Sequence, residues 1–424
     1  MILGPLFRGH RFERSEGLKS WPEIYLPPIT DVDFPILTLK DTNLGMIPVS
    51  SNKKLRMYVC GITPYDATHL GHAATYLAFD LLNRYQRLSD KEVIFVENVT
   101  DVDDPLLERA KRDNQEWQEL AHSQIELFRS DMTSLRILPP EYFVKVTDSM
   151  NLVEDFIGLL EKNGLLYSVE KDLYFSGKEF LRDLPLTMDE AVKVFAQRGG
   201  DPQRGGKRHP LDPLVWSANV EGEPGWESRY GFGRPGWHIE CTAIACKYLD
   251  TYRSDPVIDI QGGGSDLIFP HHFMSSQLVR AALGRDFSTH YIHTAMIGFE
   301  GEKMSKSKGN LVFVSKLIRE GLDPMIIRWA LLSGHYQQDR AWSLELLHKA
   351  TAEVALIRAA LAQNLVAPTR QLIEDIVKAV AENLNSPVAL NRLVEWADKS
   401  RREPLVNESG VVSRAIDSLL GLAL

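Results

Sequence analysis

Met57 to Asp80, MYVCGITPYDATHLGHAATYLAFD, places a thiol, two imidazoles and a glycine-hinged helix start within one short segment. Met57-Tyr58-Val59-Cys60 is an apolar run ending at Gly61, the composition of a buried strand. From Ala73 the residues Ala74, Leu77, Ala78, Leu81, Leu82 and Tyr85 recur at spacings of three and four, which predicts a helix lying on a sheet. His69-Leu70-Gly71-His72 therefore falls at the strand-to-helix turn. There, unpaired backbone N–H groups and the positive end of the helix dipole favour an anion such as phosphate. Gly71 lets the anion approach the backbone, and the two histidines can add donors. Taken alone, H-x-G-H more often marks structural or metal-binding histidines than catalytic ones, so its meaning depends on the residues downstream.

The 424 residues suffice for a large core and more than one domain, and 44% hydrophobic with 25% charged residues is ordinary globular composition. No apolar run approaches the ~18 residues of a membrane span. The opening MILGPLF is broken by Gly and Pro and followed by Arg8 and Arg11 without a small-residue cleavage site. A cytoplasmic protein with no membrane partner is the expectation. Three cysteines, Cys60, Cys241 and Cys246, cannot build a disulfide framework and suit a reducing compartment. A formal charge of −9 argues against broad nucleic-acid binding, and a monomer is the expected state.

The fold class expected is α/β, a Rossmann-like parallel-sheet catalytic domain with an inserted α+β subdomain and a C-terminal helical bundle. Residues 1–55, rich in Pro and polar side chains, read as a lead-in with one hairpin and a disordered first dozen residues. The first half of the catalytic domain spans 56–136. Its second strand, Glu92 to Val99, runs into Asn98-Val99-Thr100-Asp101-Val102-Asp103-Asp104, polar groups just past a strand's carboxyl end, where open α/β sheets bind ligands. The insert spans 137–225, with a helix near Asp148–Lys162, a β-like pair around Leu166 and Leu173–Phe175, and a Gly- and Arg-rich loop from Gln197 to Arg208 expected to be mobile. The second half, 226–300, resumes with a strand Pro256–Gln261, a helix Phe273–Leu283 stopped by Gly284, and a strand Tyr291–Ile297. A polar loop and connecting helices fill 301–340, among them Val314–Glu320 and Pro324–Leu332, and the helical bundle fills 341–424.

Four further constellations carry chemistry. Gly236-Trp237-His238-Ile239-Glu240-Cys241 offers a second thiol, and Gly262-Gly263-Gly264-Ser265-Asp266 leads into Phe269-Pro270-His271-His272. With Cys60 these supply the soft sulfur and imidazole ligands that zinc prefers, although two buried cysteines and a capping histidine would give the same scattered spacing. The glycine run permits close approach of a base or sugar, with Asp266 as an acceptor, or is a plain turn. Glu302 to Asn310, EKMSKSKGN, carries lysines on a polar loop and in isolation would be a solvated surface run. Trp237 is either the wall of a small pocket or core.

H-L-G-H at His69–His72 and K-M-S-K-S at Lys303–Ser307 together form the motif pair of class I aminoacyl-tRNA synthetases, and this chain resembles that family in their order and separation. Cys60, GRPGWHIEC at Gly233–Cys241, GGGSDLIFPHH at Gly262–His272 and GEKMSKSKGN at Gly301–Asn310 narrow the resemblance to the cysteinyl-tRNA synthetase group over roughly residues 56–340. The segments Val59–Tyr76, Asn98–Ala110, Arg198–Pro202, His293–Gly301 and Gly334–Ser343 are more similar to the mycothiol-pathway ligases, the branch that joins cysteine to glucosaminyl-inositol. The C-terminal part is also short for an anticodon-binding module.

The resemblance implies L-cysteine, ATP with Mg2+, and glucosaminyl-inositol as substrates, one Zn2+ per chain, and no nucleic-acid partner. It implies ATP phosphates at His69 and His72, with Lys303 and Lys306 stabilising charge as the cysteine carboxylate attacks the α-phosphorus. It implies zinc on Cys60, Cys241 and His271, with the substrate thiolate as fourth ligand and His272 as the alternative to His271. Cys60, Gly61, Ile62, Thr63, Thr75, Asn98, Val99, Thr100, Trp237, Gly264, Ser265, Asp266 and Ile297 are implied to line the cysteinyl-adenylate site. His72 is the implied candidate for the base that relieves the attacking amine of its proton. Cysteinyl-tRNA synthetases have H-H-E-N-E where this chain has His271-His272-Phe273-Met274-Ser275, so Ser275 replaces a carboxylate ligand and a three-ligand metal is expected. Gln197 stands where the ligases carry Glu before R-G-G-D-P, and Lys247–Asp255 is longer than usual. Charging of tRNA is the second reading, and a non-catalytic synthetase-like binding module the third.

Overall fold

In the computed structural model, which describes residues 18–49, 53–250, 253–299, 302–304 and 310–424, five strands form a wholly parallel central sheet. Their order is Ser288–Thr294, Ile258–Gly264, Lys54–Ile62, Glu92–Val99, Tyr142–Lys145. The chain begins in the middle, walks to one edge, and returns to build the other side. The reversal lies between Lys54–Ile62 and Ile258–Gly264, and a crevice opens there at the strands' carboxyl ends. Successive residues of Lys54–Ile62 feed different cores. Met57 and Val59 join Leu77 and Leu81 of the helix Leu70–Leu88 on one face, while Tyr58 and Cys60 join Ile239 and Ile244 of the helix Trp237–Leu249 on the other. Burial on both faces explains why this strand reads as an apolar run rather than an alternation.

The insert is a four-stranded antiparallel sheet, Leu166–Val169, Asp172–Phe175, Leu214–Ala218 and Gly233–Pro235, beside the helices Met150–Lys162 and Met188–Gln197. Two strands cross the sequence-based boundaries of 137–225. Tyr142–Lys145 pairs in register with Glu92–Val99 and belongs to the central sheet, and Gly233–Pro235 pairs with Leu214–Ala218 and belongs to the insert. The loop expected to be mobile is instead tied down. Arg198 donates to the carbonyls of Asp266 and Phe269, Tyr174 Oη donates to Asp201, and Lys207 Nζ reaches Asp201 Oδ1 at 2.7 Å.

The lead-in is more structured than its composition suggests from residue 18 onward; the first dozen residues lie outside the described ones. Trp21 is 3% exposed, stands edge-on to Phe128 and Phe143, and donates from Nε1 to Ile137 O at 2.7 Å. The expected hairpin is Thr38–Asp41 with Gly45–Pro48, turning at Gly45 with φ +80°. The expected strand Tyr291–Ile297 is two strands. Ser288–Thr294 ends the central sheet, and Ile297–Phe299 pairs in parallel with Arg340–Trp342 in a separate small sheet.

The C-terminal bundle, Leu344–Leu361, Arg370–Ala381, Ser386–Arg402 and Ser409–Leu420, docks on the helix Leu70–Leu88 through a buried ionic node. Asp80 accepts from Arg84 Nε at 2.8 Å, from Arg328 and from Leu138 N at 2.8 Å. Arg84 Nη1 donates to Asp417 O at 2.8 Å and Arg328 Nε to Leu420 O at 2.6 Å, at the end of the last helix.

Candidate active site

The H-L-G-H turn forms as its sequence predicts, a strand end leading into Leu70–Leu88, but its backbone donors are not left unpaired. His69 is the N-cap, and its Nδ1 accepts from Gly71 N at 3.1 Å and His72 N at 3.4 Å. Leu70 N donates to Val312 O at 2.9 Å, and Ala73 N to His69 O at 3.1 Å. All four first-turn N–H groups of the helix are therefore satisfied within the protein. The two rings stack at 3.8 Å. Burial lowers the pKa of His69 and lowers that of His72 further, so both are neutral imidazoles at pH 7. They can donate a hydrogen bond to an anion but bring no charge. The segment beyond K-M-S-K-S runs alongside: Val314 N donates to Thr68 O at 3.0 Å, and Phe313 bridges His69. Lys303 sits in the short strand Glu302–Lys303 opposite Gly298, while Lys306 lies outside the described residues.

Cys60, Cys241 and His271 come together from the end of a strand, the first turn of Trp237–Leu249 and the segment before Phe273–Leu283. Their ligand atoms lie within 4.8 Å of one another and all three residues are buried. His271 spends Nδ1 on His238 Nδ1 at 3.0 Å, which leaves Nε2 able to ligate, the supporting arrangement that a metal-bound histidine would have. His272 lies outside the group: its Nε2 meets Cys60 Sγ at 3.2 Å and its Nδ1 meets His293 Nε2 at 2.7 Å. The hydrogen bond from Cys60, with help from His271, holds the Cys241 thiol well below its ordinary pKa, while burial raises Cys60. Two thiols and an imidazole, dry and close, fit a zinc ion with one position open. Ser275 is buried with no hydrogen-bond partner for Oγ. Trp237 stacks on His271 at 4.3 Å, as a wall of this pocket.

Asn98 joins the two central strand ends, accepting at Oδ1 from Gly61 N and Tyr58 Oη, both at 2.9 Å, and donating to Thr100 Oγ1 at 3.0 Å. A Cβ at Gly61 would stand 1.6 Å from Asn98 O, so the strand can come this close only as glycine. The glycine run divides its work. At Gly262 a Cβ would meet the Phe79 ring at 2.4 Å and at Gly263 the His272 ring at 2.9 Å, so these two serve packing. Gly264 and Asp266 face the crevice.

The crevice is one cavity of about 940 Å³. Its wall brings together Cys60, Gly61, Ile62, Thr63, His69, His72, Thr75, Asn98, Thr100, Trp237, Cys241, Gly264, Asp266, His271 and Ile297. Val99 and Ser265 are not on it; Val99 is fully buried in the core. Thr75 Oγ1 meets Thr294 Oγ1 at 2.7 Å at the floor. The cavity also extends to residues that sequence reasoning noted only as neighbourhood: Asp103, Asp104 and Glu108 beyond Glu92–Val99, Glu240 within the G-W-H-I-E-C motif, and Asp172, Tyr174, Asp201 and Arg204 of the insert. Asp101 turns away and accepts from Thr147 N at 2.9 Å and Thr147 Oγ1 at 2.6 Å. Burial raises the Asp103 carboxyl to about 6. The polar run Asn98–Asp104 was the available signal for the first group and the R-G-G-D-P loop at Arg198–Pro202 for Asp201, both expected as walls of the acceptor pocket, whereas nothing local marks Asp172, Tyr174 or Arg204.

Comparison with known proteins points in the same direction. A family model described as tRNA synthetases class I (C) catalytic domain matches residues 46–352. The L-cysteine:1D-myo-inositol 2-amino-2-deoxy-alpha-D-glucopyranoside ligase of Thermomonospora curvata is 46% identical over 421 residues, covering 96% of this chain and 100% of that protein. The ligase of the same name from Rhodococcus erythropolis is 46% identical over 417 residues, with the same coverage. Among solved structures, Mycobacterium tuberculosis methionyl-tRNA synthetase bound by methionyl-adenylate superposes with a TM-score of 0.65 at 16% identity, covering 87% of this chain and 92% of that one, and so shares the fold.

Proposed function

The chain belongs to the class I tRNA synthetase (C) family, among its L-cysteine:1D-myo-inositol 2-amino-2-deoxy-alpha-D-glucopyranoside ligases, and from that premise we propose an ATP-dependent, AMP-forming ligation of L-cysteine to the amine of glucosaminyl-inositol, a step of mycothiol synthesis. The observation that carries this reading is the buried Cys60, Cys241 and His271 group, which opens on the same cavity as the H-L-G-H turn. When bound there, zinc supplies a soft, positive partner for the amino acid's sulfur, and a site that selects one atom in this way rejects the hydroxyl analogue by ~10⁴ or more.

The remaining work falls to the chain's own residues. His238 holds the ring of His271, and Trp237 closes the pocket over it. Asn98 fixes the Gly61 backbone beside the amino-acid site, and Thr75 and Asp266 face the nucleotide. His69 and His72 donate as neutral imidazoles to phosphate oxygens. Lys303 and Lys306 bring the positive charge as the cysteine carboxylate attacks the α-phosphorus, the P–O bond to diphosphate breaks and diphosphate leaves. Catalysis of this half-reaction is positioning plus electrostatics.

The charge of the cavity favours a small amine over tRNA as acceptor. Among the described residues its wall carries Asp103, Asp104, Glu108, Asp172, Asp201, Glu240 and Asp266. The guanidinium groups on it, Arg198, Arg204 and Arg234, are engaged with carbonyls of the chain, Asp172 and Asp104. A phosphate backbone needs free cations. The test is cysteine-dependent ATP–pyrophosphate exchange, followed by AMP release with glucosaminyl-inositol or with tRNA as acceptor. Exchange with serine as fast as with cysteine, or AMP release driven by tRNA alone, would refute the proposal.

A further inference from the structure

We propose that the arm of the cavity between the start of the helix Asp104–Asp113 and the inserted sheet receives the amine-bearing polyol, with Glu240 holding its ammonium group and Asp103 taking the proton that the attacking nitrogen sheds. The inference rests on the ligase reading and adds where the acceptor sits and which group serves it.

Glu240 is 2% exposed, lines the cavity, and has no hydrogen-bond partner at Oε2. A buried carboxylate oxygen left without a partner costs free energy unless a ligand answers it. Burial, with Asp103, Cys241 and Asp101 beside it, holds the Glu240 carboxyl well above its ordinary pKa, and Arg234 is the one neighbouring group that opposes this. The cation among them is already engaged: Arg234 Nη2 donates to Asp104 and lies 3.2 Å from Glu223 Oε2. What the geometry leaves open at this point is a hydrogen-bond donor for Oε2 from the cavity side, and a donor that is also positive, as a primary ammonium is, would let the buried carboxyl ionise. Glu240 also precedes Cys241 on the helix Trp237–Leu249, so an ammonium held there waits beside the cysteinyl group selected by the thiol cluster.

Asp103 is the N-cap of the neighbouring helix. Its Oδ1 accepts from Asp104 N at 2.9 Å, which leaves Oδ2 for a guest. Burial makes this carboxylate more basic than usual, at about 6; the Asp104 charge adds to the rise, while the Asp104 backbone N–H, Arg234 and His271 oppose it. It is still mostly ionised at pH 7 and able to accept a proton. Beyond it, Tyr174, Asp172 and Arg204 of the insert alternate donors and acceptors along the wall, with Arg204 Nη1 at 2.9 Å from Tyr174 Oη, a surface suited to a ring of hydroxyl groups. In the step itself the ammonium loses one proton to water. The neutral nitrogen then attacks the acyl carbon, and the C–N bond forms as the acyl C–O bond to phosphate breaks. AMP leaves with the electron pair, and the remaining extra proton passes from nitrogen to Asp103 and on to solvent.

The test separates the half-reactions in Asp103→Asn, which keeps the helix cap because Asn caps as well as Asp. Glucosaminyl-inositol-dependent AMP release should fall ~10²- to 10⁴-fold, the usual worth of a general base, with the deficit shrinking as pH rises and hydroxide takes the proton that the attacking nitrogen sheds. Cysteine-dependent ATP–pyrophosphate exchange should change far less. Glu240→Gln should raise KM for glucosaminyl-inositol more than it lowers kcat. Asp103→Ser, an equally good cap, serves should the first variant fold poorly. The inference is overturned if these Asp103 variants release AMP at the wild-type rate, or lose exchange and AMP release in proportion. Wild-type protein that lacks cysteine-dependent exchange would overturn the ligase reading and this inference with it, a result distinct from failure of the variants alone.

Discussion

Two buried polar clusters, one on each face of the central sheet, differ in how far their groups are paired. Under the helix Leu70–Leu88, Asp80, Arg84 and Arg328 are almost wholly buried, and the strong groups answer one another or a backbone carbonyl at the end of Ser409–Leu420. Across the sheet, beside Trp237–Leu249, Glu240 Oε2, Gln261 Oε1 and Ser275 Oγ are buried with no partner. The first cluster is a closed network and holds a domain in place. The second is open, and of its three unpaired groups Glu240 is the one that lines the crevice and can be answered from there.

The contrast breaks most visibly on the closed side. Arg328→Met leaves Asp80 with one cation in place of two, and removing one partner of a buried ion network costs ~3–5 kcal/mol. Urea titration should show that loss, while protein that remains folded keeps its exchange activity; a wild-type midpoint would mean that the node is not what secures the bundle. On the open side the balance reverses. Cys241→Ser should lower bound zinc and cysteine activation together, by more than the ~10- to 100-fold that a residue merely supporting a metal ligand is worth. Its stability should change little, and retention of zinc and exchange would remove Cys241 from the site.

Smaller effects sharpen the comparison. His69→Ala removes a cap worth ~0.5–2 kcal/mol, whereas His69→Asn keeps the cap and loses only the ring. If urea titration failed to separate the two, the role of the imidazole in holding the helix start would be lost. The smallest signal is acid sensitivity. Burial pushes the Asp80 carboxyl up, but Arg84 and Arg328 outweigh it and hold its pKa below the ordinary value. A depressed folded-state pKa contributes stability that is complete above the unfolded value of ~3.9 and is lost as pH falls through the lower folded value. Stability attributable to this node should therefore be flat above about pH 4 and decline below it, and a decline beginning near neutrality would point to another group.

Much of the architecture was legible because it is local. The run Met57–Cys60, the periodicity from Ala74 to Tyr85 and the stop of Phe273–Leu283 at Gly284, with φ +68°, are written within a few residues of where they act. The group of Cys60, Cys241 and His271 was legible by ligand type but was narrowed to these three by resemblance, since Cys60 and Cys241 stand 181 positions apart and meet through sheet topology. What was misread depends on distant partners. Ile297 looked like the end of one strand because its true partner, Arg340–Trp342, comes after the whole K-M-S-K-S segment. The loop from Gln197 looked mobile because its Arg198 bonds to carbonyls that belong to a different half of the molecule. The amides of the H-L-G-H turn looked free because neither the cap by His69 nor the reach of Val312 to Leu70 can be read from the motif.

Capping by His69 also shapes what the turn can bind. A helix start that carries its own imidazole as a plug is no open receptor for stray anions: a phosphate can reach the Gly71 and His72 amides only by unseating His69. Inorganic phosphate has little with which to compensate for that exchange, whereas a nucleotide brings a base and a ribose whose contacts elsewhere in the crevice can. Under the proposed ATP-dependent reaction the turn would discriminate by demanding more than charge, and a histidine that stepped aside would be free to turn toward the guest.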